Sequence, residues 1–410
     1  MEEWKDWASL HPDLMELIAA RVLAGDVVDY MSLRAVCTRW RASAPSPRDP
    51  TLRDERLRPR NWVALCDGDR VRPADACEVA FLQTATGRCV RVRLRELRGH
   101  RIIGFTDGLL ILINKDTTAV RIFHPFTRVA VDLPPIAAVF DNMVKNQQSR
   151  AWMKAAVCAS QIASDSIAVV AWFPNVPGVV VAEPNFPCWY ILHQDVELAA
   201  AVPFQGRIYG IISDTRQVVQ VYPRCLEPCV AHVPNTFGIP QTHAFFLVES
   251  AERLVLVLRH FYYHGSDSTE GGYGSCRFAL FEVDTTVQHG GLAPVTSLGD
   301  LALFLGSYRC LSVSQRNLPS ISANAIYFDN GNLYPVSLYS VGSGTLEQIS
   351  TVSIIHDFRK RIRPSVPVFS AYTGQGVSCF MNTTPYLDLG RSCGTNSKSK
   401  TSKFRCVVDA

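Results

Sequence analysis

Two groupings in this sequence have residue types and spacings that could hold a metal. His260 and His264 are four apart, which would put two imidazoles on one face of a helix. They follow Leu254-Val255-Leu256-Val257-Leu258, a strand signal, and a Gly-Ser turn comes next, so no helix is expected to carry them. Cys225 and Cys229 are separated by Leu-Glu-Pro, with His232 nearby. A structural zinc takes four ligands, and no second pair lies at the usual spacing. There is no G-x-x-x-x-G-K-[ST] and no H-E-x-x-H, and the G-x-S-x-G at Gly390-Arg391-Ser392-Cys393-Gly394 lies in a Ser-, Thr-, Gly- and Lys-rich tail without the strand and helix that a nucleophile elbow needs. Gly342-Ser343-Gly344 reads as a turn between strands. Gly271-Gly272-Tyr273-Gly274 reads as a loop tip without the helix that a phosphate cradle needs. Asn382-x-Thr384 is a glycosylation sequon only in a secreted protein. The expectation is a chain with no catalytic residue, no metal site and no cofactor.

The elements around these residues bound the class further. The chain has 410 residues, 47% of them hydrophobic and 19% charged. That supplies a sizeable core and excludes wholesale disorder. The first residues are acidic and lack an apolar run, so no signal peptide is expected. The longest apolar stretch, Ile167 to Ala182, is broken by Pro174, Asn175, Pro177 and Gly178 and is too short to span a bilayer. Thirteen cysteines without a C-x-x-C pair suit a reducing compartment, so an intracellular chain with no membrane partner is expected. Charge is uneven. Residues 34–101 hold 16 Arg against 8 acids, and residues 151–350 hold 9 bases against 15 acids. Val90-Arg91-Val92-Arg93-Leu94-Arg95 alternates as a half-buried strand with a solvated Arg face, so no nucleic-acid partner is expected.

Residues 7–44 carry the helical signal. Asp13 or Ser9 can cap a first helix, with Pro12 in its first turn. Leu14, Leu17, Ile18 and Val22 share one apolar face. Gly25 ends that helix and Asp26 caps the next. Tyr30, Leu33, Cys37 and Trp40 form a second stripe. So small a unit buries little surface by itself, and an apolar residue left on its outside implies a docking partner. Pro45, Pro47 and Pro50 then mark a linker.

Beyond Asn61 the pattern changes to short strands. Leu109 to Asn114, Ala119 to Phe123 and Val129 to Pro135 surround the turn His124-Pro125-Phe126-Thr127 as parts of a four-stranded blade. Weaker echoes run from Phe204 to Tyr222, Ala244 to Val283 and Ala325 to Tyr339. At about 40–50 residues per blade, the body has room for six or seven blades, with a sandwich pair as the competing architecture. Propellers bind through loops at one channel end. The candidate loops are His264 to Ser275 and Pro174 to Pro187, with Phe173, Phe186 and Trp189 expected to pack between blades.

These residues carry a resemblance. Leu10-His11-Pro12-Asp13-Leu14, Ile18 and Val36-Cys37-Thr38-Arg39-Trp40-Arg41 resemble an F-box, although His11 separates Leu10 from Pro12 and Thr38 stands where Lys is common. Phe81 to Arg88, Gly104 to Pro135, Leu298 to Gly306, Ser312 to Ser314 and Asn324 to Phe328 resemble the KIB-type F-box-associated β-propeller of plant proteins. The resemblance covers about residues 7–364 and fades into a Ser-, Thr-, Gly- and Lys-rich tail. It implies an α+β multidomain chain: a small N-terminal helical F-box (1–44), a Pro/Arg-rich linker (45–60), a mainly-β, propeller-like domain (61–364) and a polar, poorly ordered tail (365–410).

The function implied is that of a non-catalytic receptor subunit in a Skp–cullin–F-box ubiquitin ligase, working in the cytoplasm, the nucleus or both. Leu10, Pro12, Leu14, Ile18, Val36, Cys37 and Trp40 would contact the Skp-type adaptor, and through it a cullin scaffold. Some of the seven must instead hold the helical core, and the sequence does not divide the two sets. The propeller would hold a protein target whose binding residues the sequence does not name. The alternative is a propeller-type small-molecule binder or enzyme with a helical cap.

Overall fold

The structure is a computed structural model that describes residues 7, 10–64, 78–137, 139, 153–162, 166–174, 176–224, 229–234, 243–262, 275–286, 290–306, 309–328 and 336–349. Its apolar runs are strands buried on both faces, which is why they read as continuous rather than alternating. In Leu109–Asn114, residues Leu109, Ile111 and Ile113 enter one hydrophobic cluster, while Leu110 and Leu112 enter another. Ile167–Phe173 divides in the same way, with Val169 and Phe173 to one side and Val170 and Trp172 to the other. A strand whose two faces feed two separate clusters must stand between two neighbouring sheets.

Six sheets arranged as blades satisfy this. Blade 1 is β1 (Trp62–Ala64), β2 (Glu78–Gln83) and β3 (Cys89–Arg93). Blade 2 is β4 (His100–Thr106), β5 (Leu109–Asn114), β6 (Ala119–Phe123) and β7 (Ala130–Pro135). Blade 3 is β8 (Lys154–Ala159), β9 (Ile167–Phe173), β10 (Val176–Ala182) and β11 (Tyr190–His193). Blade 4 is β12 (Leu198–Phe204), β13 (Arg207–Ile212), β14 (Gln217–Tyr222) and β15 (Cys229–His232). Blade 5 is β16 (His243–Ser250), β17 (Arg253–Tyr262), β18 (Ser275–Val283) and β19 (Leu292–Pro294). Blade 6 is β20 (Leu301–Leu305), β21 (Cys310–Ser314), β22 (Ala325–Phe328), β23 (Val336–Ser340) and β24 (Leu346–Ile349).

Each neighbouring pair of blades shares one cluster, and the ring closes between blades 6 and 1 through Leu82, Val313 and Tyr327. The fold is therefore a six-bladed propeller, which decides between the six and seven blades that length allows and excludes the sandwich pair. Blades 2 to 5 are antiparallel meanders. In blade 6, β20 pairs in parallel with β22, and the connection between β21 and β22 carries Leu318 and Ile321 into the seam with blade 1. β4, β8, β12, β16 and β21 stand at the ends of their sheets and touch in succession, so they surround the axis.

Two local expectations are corrected. Pro174 to Pro187 is not one loop, because Val176–Ala182 is strand β10, with Pro177 and Gly178 absorbed where its register with β9 shifts. The first helix is capped by His11, whose side chain accepts from the Asp13 amide, rather than by Asp13 or Ser9. Pro12 takes the first helical position, where its missing N–H is harmless, and this makes the preceding residue the cap.

Residues 45–60 form a strap packed against both the head and the propeller. Leu52 is buried in the seam between blades 2 and 3. Arg58 is buried, donates to the Leu52 carbonyl at 2.9 Å and pairs with Asp107 at 2.9 Å. His124 Nε2 donates to the Leu57 carbonyl at 3.0 Å, and its Nδ1 accepts from the amides of Phe126 and Thr127. A ring used as donor on one nitrogen and acceptor on the other has no room for a second proton, and burial lowers its pKa to about 4.

The unfolded chain takes up this proton near pH 6.5 and the native chain does not until about pH 4. Stability is therefore full above pH 6.5 and falls by about 3 kcal/mol as pH drops through that window. Urea midpoints between pH 7.5 and pH 4.5 will show this slope, and in His124→Gln it will be shallower. An unchanged slope in the variant refutes this assignment of the proton.

Candidate functional site

The helical head consists of α1 (Pro12–Gly25), α2 (Val27–Ala35) and α3 (Thr38–Ser43). Its own core is Met15, Ala19, Tyr30, Leu33 and Ala44, with Val22, Leu23 and Trp40 packed against it. Helix α1 is apolar on two sides. Met15 and Ala19, four apart, turn inward. Leu14, Leu17 and Ile18 turn outward and stay 53%, 68% and 39% exposed. Residues three and four apart are neighbours on a helix surface, so these three make one apolar stripe.

The structure separates the seven expected contact residues by burial. Pro12, Leu14, Ile18 and Val36 are exposed, while Leu10, Cys37 and Trp40 are half-buried. Cys37 lies between two helices rather than within one stripe: α2 has ended, and the Cys37 Sγ accepts from the Trp40 amide as the cap of α3. Trp40 Nε1 donates to the Trp7 carbonyl at 3.1 Å, which ties α3 to the chain before α1. The Trp7 side chain is itself exposed. Leu17, the most exposed of the apolar stripe, belongs beside Leu14 and Ile18. Its place in the i, i+3, i+4 pattern was the available signal.

Asp26 fixes the direction in which this stripe faces. One of its carboxylate oxygens caps α2 through the amides of Val28 and Asp29. The other accepts from the Trp62 indole at 2.9 Å and the Gln83 amide at 3.1 Å, both in blade 1. Val28 adds an apolar contact to the seam of blades 1 and 2, and Arg88 pairs with Asp29 while lying over the Trp62 ring. The head is therefore bolted to the propeller with its Leu14–Leu17–Ile18 side away from its own core.

The remaining candidates do not assemble into a site among the described residues. His260 is a buried residue of β17, and His264 lies outside the described residues. Cys229 and His232 lie on β15 with Sγ and Nε2 3.9 Å apart, and Cys225 lies outside the described residues. No group of three or more metal-ligating side chains occurs among the described residues. Phe173 and Trp189 are buried between blades 2 and 3, and the Trp189 indole donates to the Pro134 carbonyl at 2.8 Å. Phe186 is half-buried, edge-on to Tyr190. Gly342–Gly344 is a turn between β23 and β24. Residues 264–274, Asn382 and the tail 365–410 lie outside the described residues. Several arginines of the basic stretch are engaged with acids, as in Arg56–Asp54, Arg58–Asp107 and Arg60–Glu55. No described helix is long and apolar enough to cross a membrane.

The family model for the KIB1-4 beta-propeller matches residues 81–345, well over half of the chain and nearly the whole ring. The chain belongs to the KIB1-4 beta-propeller family. In this KIB1-4 propeller the matched region begins in β2 and ends just before β24, so the helical head and strap lie outside it. No curated protein sequence matches the chain. Among solved structures, the major Malassezia sympodialis allergen Mala s 1 is similar at 9% identity and a TM-score of 0.29, over 69% of this chain and 90% of that one. A chain from the S. cerevisiae Dbp5 complex with Nup159 and Gle1 is similar at 7% identity and a TM-score of 0.28, over 58% and 67%. Likenesses this distant add nothing to the ring already described.

Proposed function

We propose that this KIB1-4 propeller is the target-recognition subunit of a Skp–cullin–F-box ubiquitin ligase, its head acting as the F-box. The observation that carries this reading is the outward stripe of Leu14, Leu17 and Ile18 on a head whose core is made without them. Exposed apolar side chains on a rigid helix suit recognition by an apolar groove on a partner, here the Skp-type adaptor that leads to the cullin. The propeller then holds a protein target. Such a receptor supplies no acid, base or nucleophile. It accelerates transfer by holding the target near the ubiquitin-loaded enzyme, an effective-concentration effect, and on this reading the protein works in the cytoplasm or nucleus.

The test is co-purification of the full chain with a Skp-type adaptor. Burial of one leucine contributes about 1.5–3 kcal/mol, and a carboxylate in its place adds a desolvation penalty. Leu14→Asp/Leu17→Asp is therefore expected to weaken adaptor binding more than about 100-fold. The urea midpoint should be unchanged, because both positions already face water. A wild-type chain that does not bind, or a double variant that binds as well, overturns the reading.

A further inference from the structure

We propose that Ser46 is a phosphorylation site and that its phosphate is held by the guanidinium groups of Arg34 and Arg41. Ser46-Pro47 is the one Ser-Pro pair in the 410 residues. A proline after the acceptor serine is a mark that a kinase can read, because proline lacks an N–H and holds the residue before it extended. Ser46 lies in the strap, outside any helix or strand, and is exposed. Its hydroxyl is therefore offered at the surface on extended backbone, as entry into a kinase groove requires. The transfer is phosphoryl chemistry with ATP. Ser46 Oγ bonds to the γ-phosphorus while the bond from that phosphorus to the β–γ bridging oxygen breaks. ADP leaves, and the hydroxyl proton passes to the kinase's catalytic aspartate.

Two arginines of the head converge on this point. Arg34, in the last turn of α2, donates to the Pro45 carbonyl at 2.6 Å, and the Tyr30 hydroxyl donates to the same oxygen at 2.6 Å. That oxygen belongs to the peptide unit leading into Ser46. Arg34 also donates to the Arg41 carbonyl at 3.3 Å, and Arg41 Nε donates back to the Arg34 carbonyl at 3.2 Å. These bonds hold two like charges together, and their acceptors are neutral carbonyls. Arg48 follows in the strap, and its amide donates to Ser46 Oγ at 3.2 Å. The carboxylate of Asp49 is turned instead to the amides of Thr51 and Asp54. A phosphate on Ser46 brings three acceptor oxygens and close to two negative charges. The guanidinium fork matches such a group bidentately. Capture relieves the repulsion between Arg34 and Arg41 and adds an ionic tie between the strap and α2. None of this involves the Leu14–Leu17–Ile18 stripe, so the inference is independent of the adaptor reading.

The test treats the full chain with ATP and a purified proline-directed serine kinase and maps the phosphate by peptide mass spectrometry. Ser46 is expected to be phosphorylated in wild type and in Leu14→Asp/Leu17→Asp alike. The phosphopeptide is expected to vanish in Ser46→Ala. Thr384-Pro385 falls in a different peptide, so its modification is read separately. Phosphorus NMR then reads the arginines, with Ser46→Ala identifying the resonance. Cations beside a phosphate favour its dianion, so its second pKa, ordinarily about 6, is expected to fall by about 0.5 or more. The ordinary value is expected to return in Arg34→Gln/Arg41→Gln and in the wild-type phosphoprotein unfolded in urea. Should the double variant not fold, the urea comparison decides. An unmodified Ser46 overturns the inference. A phosphate pKa that is the same folded and unfolded, or the same with and without the two arginines, overturns it equally.

Discussion

Gly104→Ala will prevent the propeller from reaching its native state, or will cost it more than about 4 kcal/mol. Gly104 lies in β4 beside β8, where the innermost strands of blades 2 and 3 converge. A methyl group built there would stand 1.9 Å from the Ala155 carbonyl oxygen and 3.0 Å from Ile111 Cδ1. The first neighbour is backbone and cannot rotate away, so the seam itself must open. Opening it also strains the bond from the Val157 amide to Thr106 Oγ1, 2.9 Å long in the same seam. Soluble yield, near-ultraviolet circular dichroism and the urea midpoint all report this. Gly25→Ala is the control, since its methyl meets nothing within 4 Å and alanine is the better helix former. A Gly104→Ala protein with a midpoint near wild type would refute the close approach of the two strands.

The second large effect belongs to Asp26→Ala. The loss of a helix cap costs about 1 kcal/mol. The substitution also strips the acceptor from the indole of Trp62, which is 2% exposed, and from the amide of Gln83, which is 5% exposed. Buried donors left without a partner cost about 1–3 kcal/mol each. The expected total is about 3–7 kcal/mol, concentrated where the head meets blade 1. Proteolysis within the strap 45–60 should accelerate before the propeller unfolds, and the emission of Trp62 should change. Asp26→Asn keeps one acceptor oxygen, so it is expected to lose about half as much. Wild-type stability and protease resistance in Asp26→Ala would show that the head is held elsewhere.

These two residues illustrate different degrees of legibility. Asp26 is readable as a cap, because Gly25 before it and an amphipathic segment after it are local signals. Its second duty is not readable, because Trp62 and Gln83 are distant in the chain and nothing local links them to a helix cap. Gly104 sits in a strand pattern, where a glycine signals a bulge or a close approach without naming the neighbour. The strap shows the reverse failure. Three prolines and many charges signal a boundary, but Leu52 and Arg58 bury themselves against blade 2 because the folded ring offers a cluster and Asp107 to receive them.

By itself the sequence determined many of the strands and turns and the break between the first two helices, since period, glycine, proline and capping residues act over a few residues. It did not show β10 within Pro174 to Pro187 or His11 as the first cap. Five apolar residues in a row at Leu109 to Ile113 leave no face for water, which is why that strand is buried on both faces while β7 and β11 are not. Only the tertiary structure decided that six sheets close a ring, because closure depends on the seam between blades 6 and 1. Only it decided that Met15 and Ala19, not Leu14, Leu17 and Ile18, fill the head. Both sets have helical spacing, and the choice between them rests on contacts from α2 and Ala44 that no local pattern encodes.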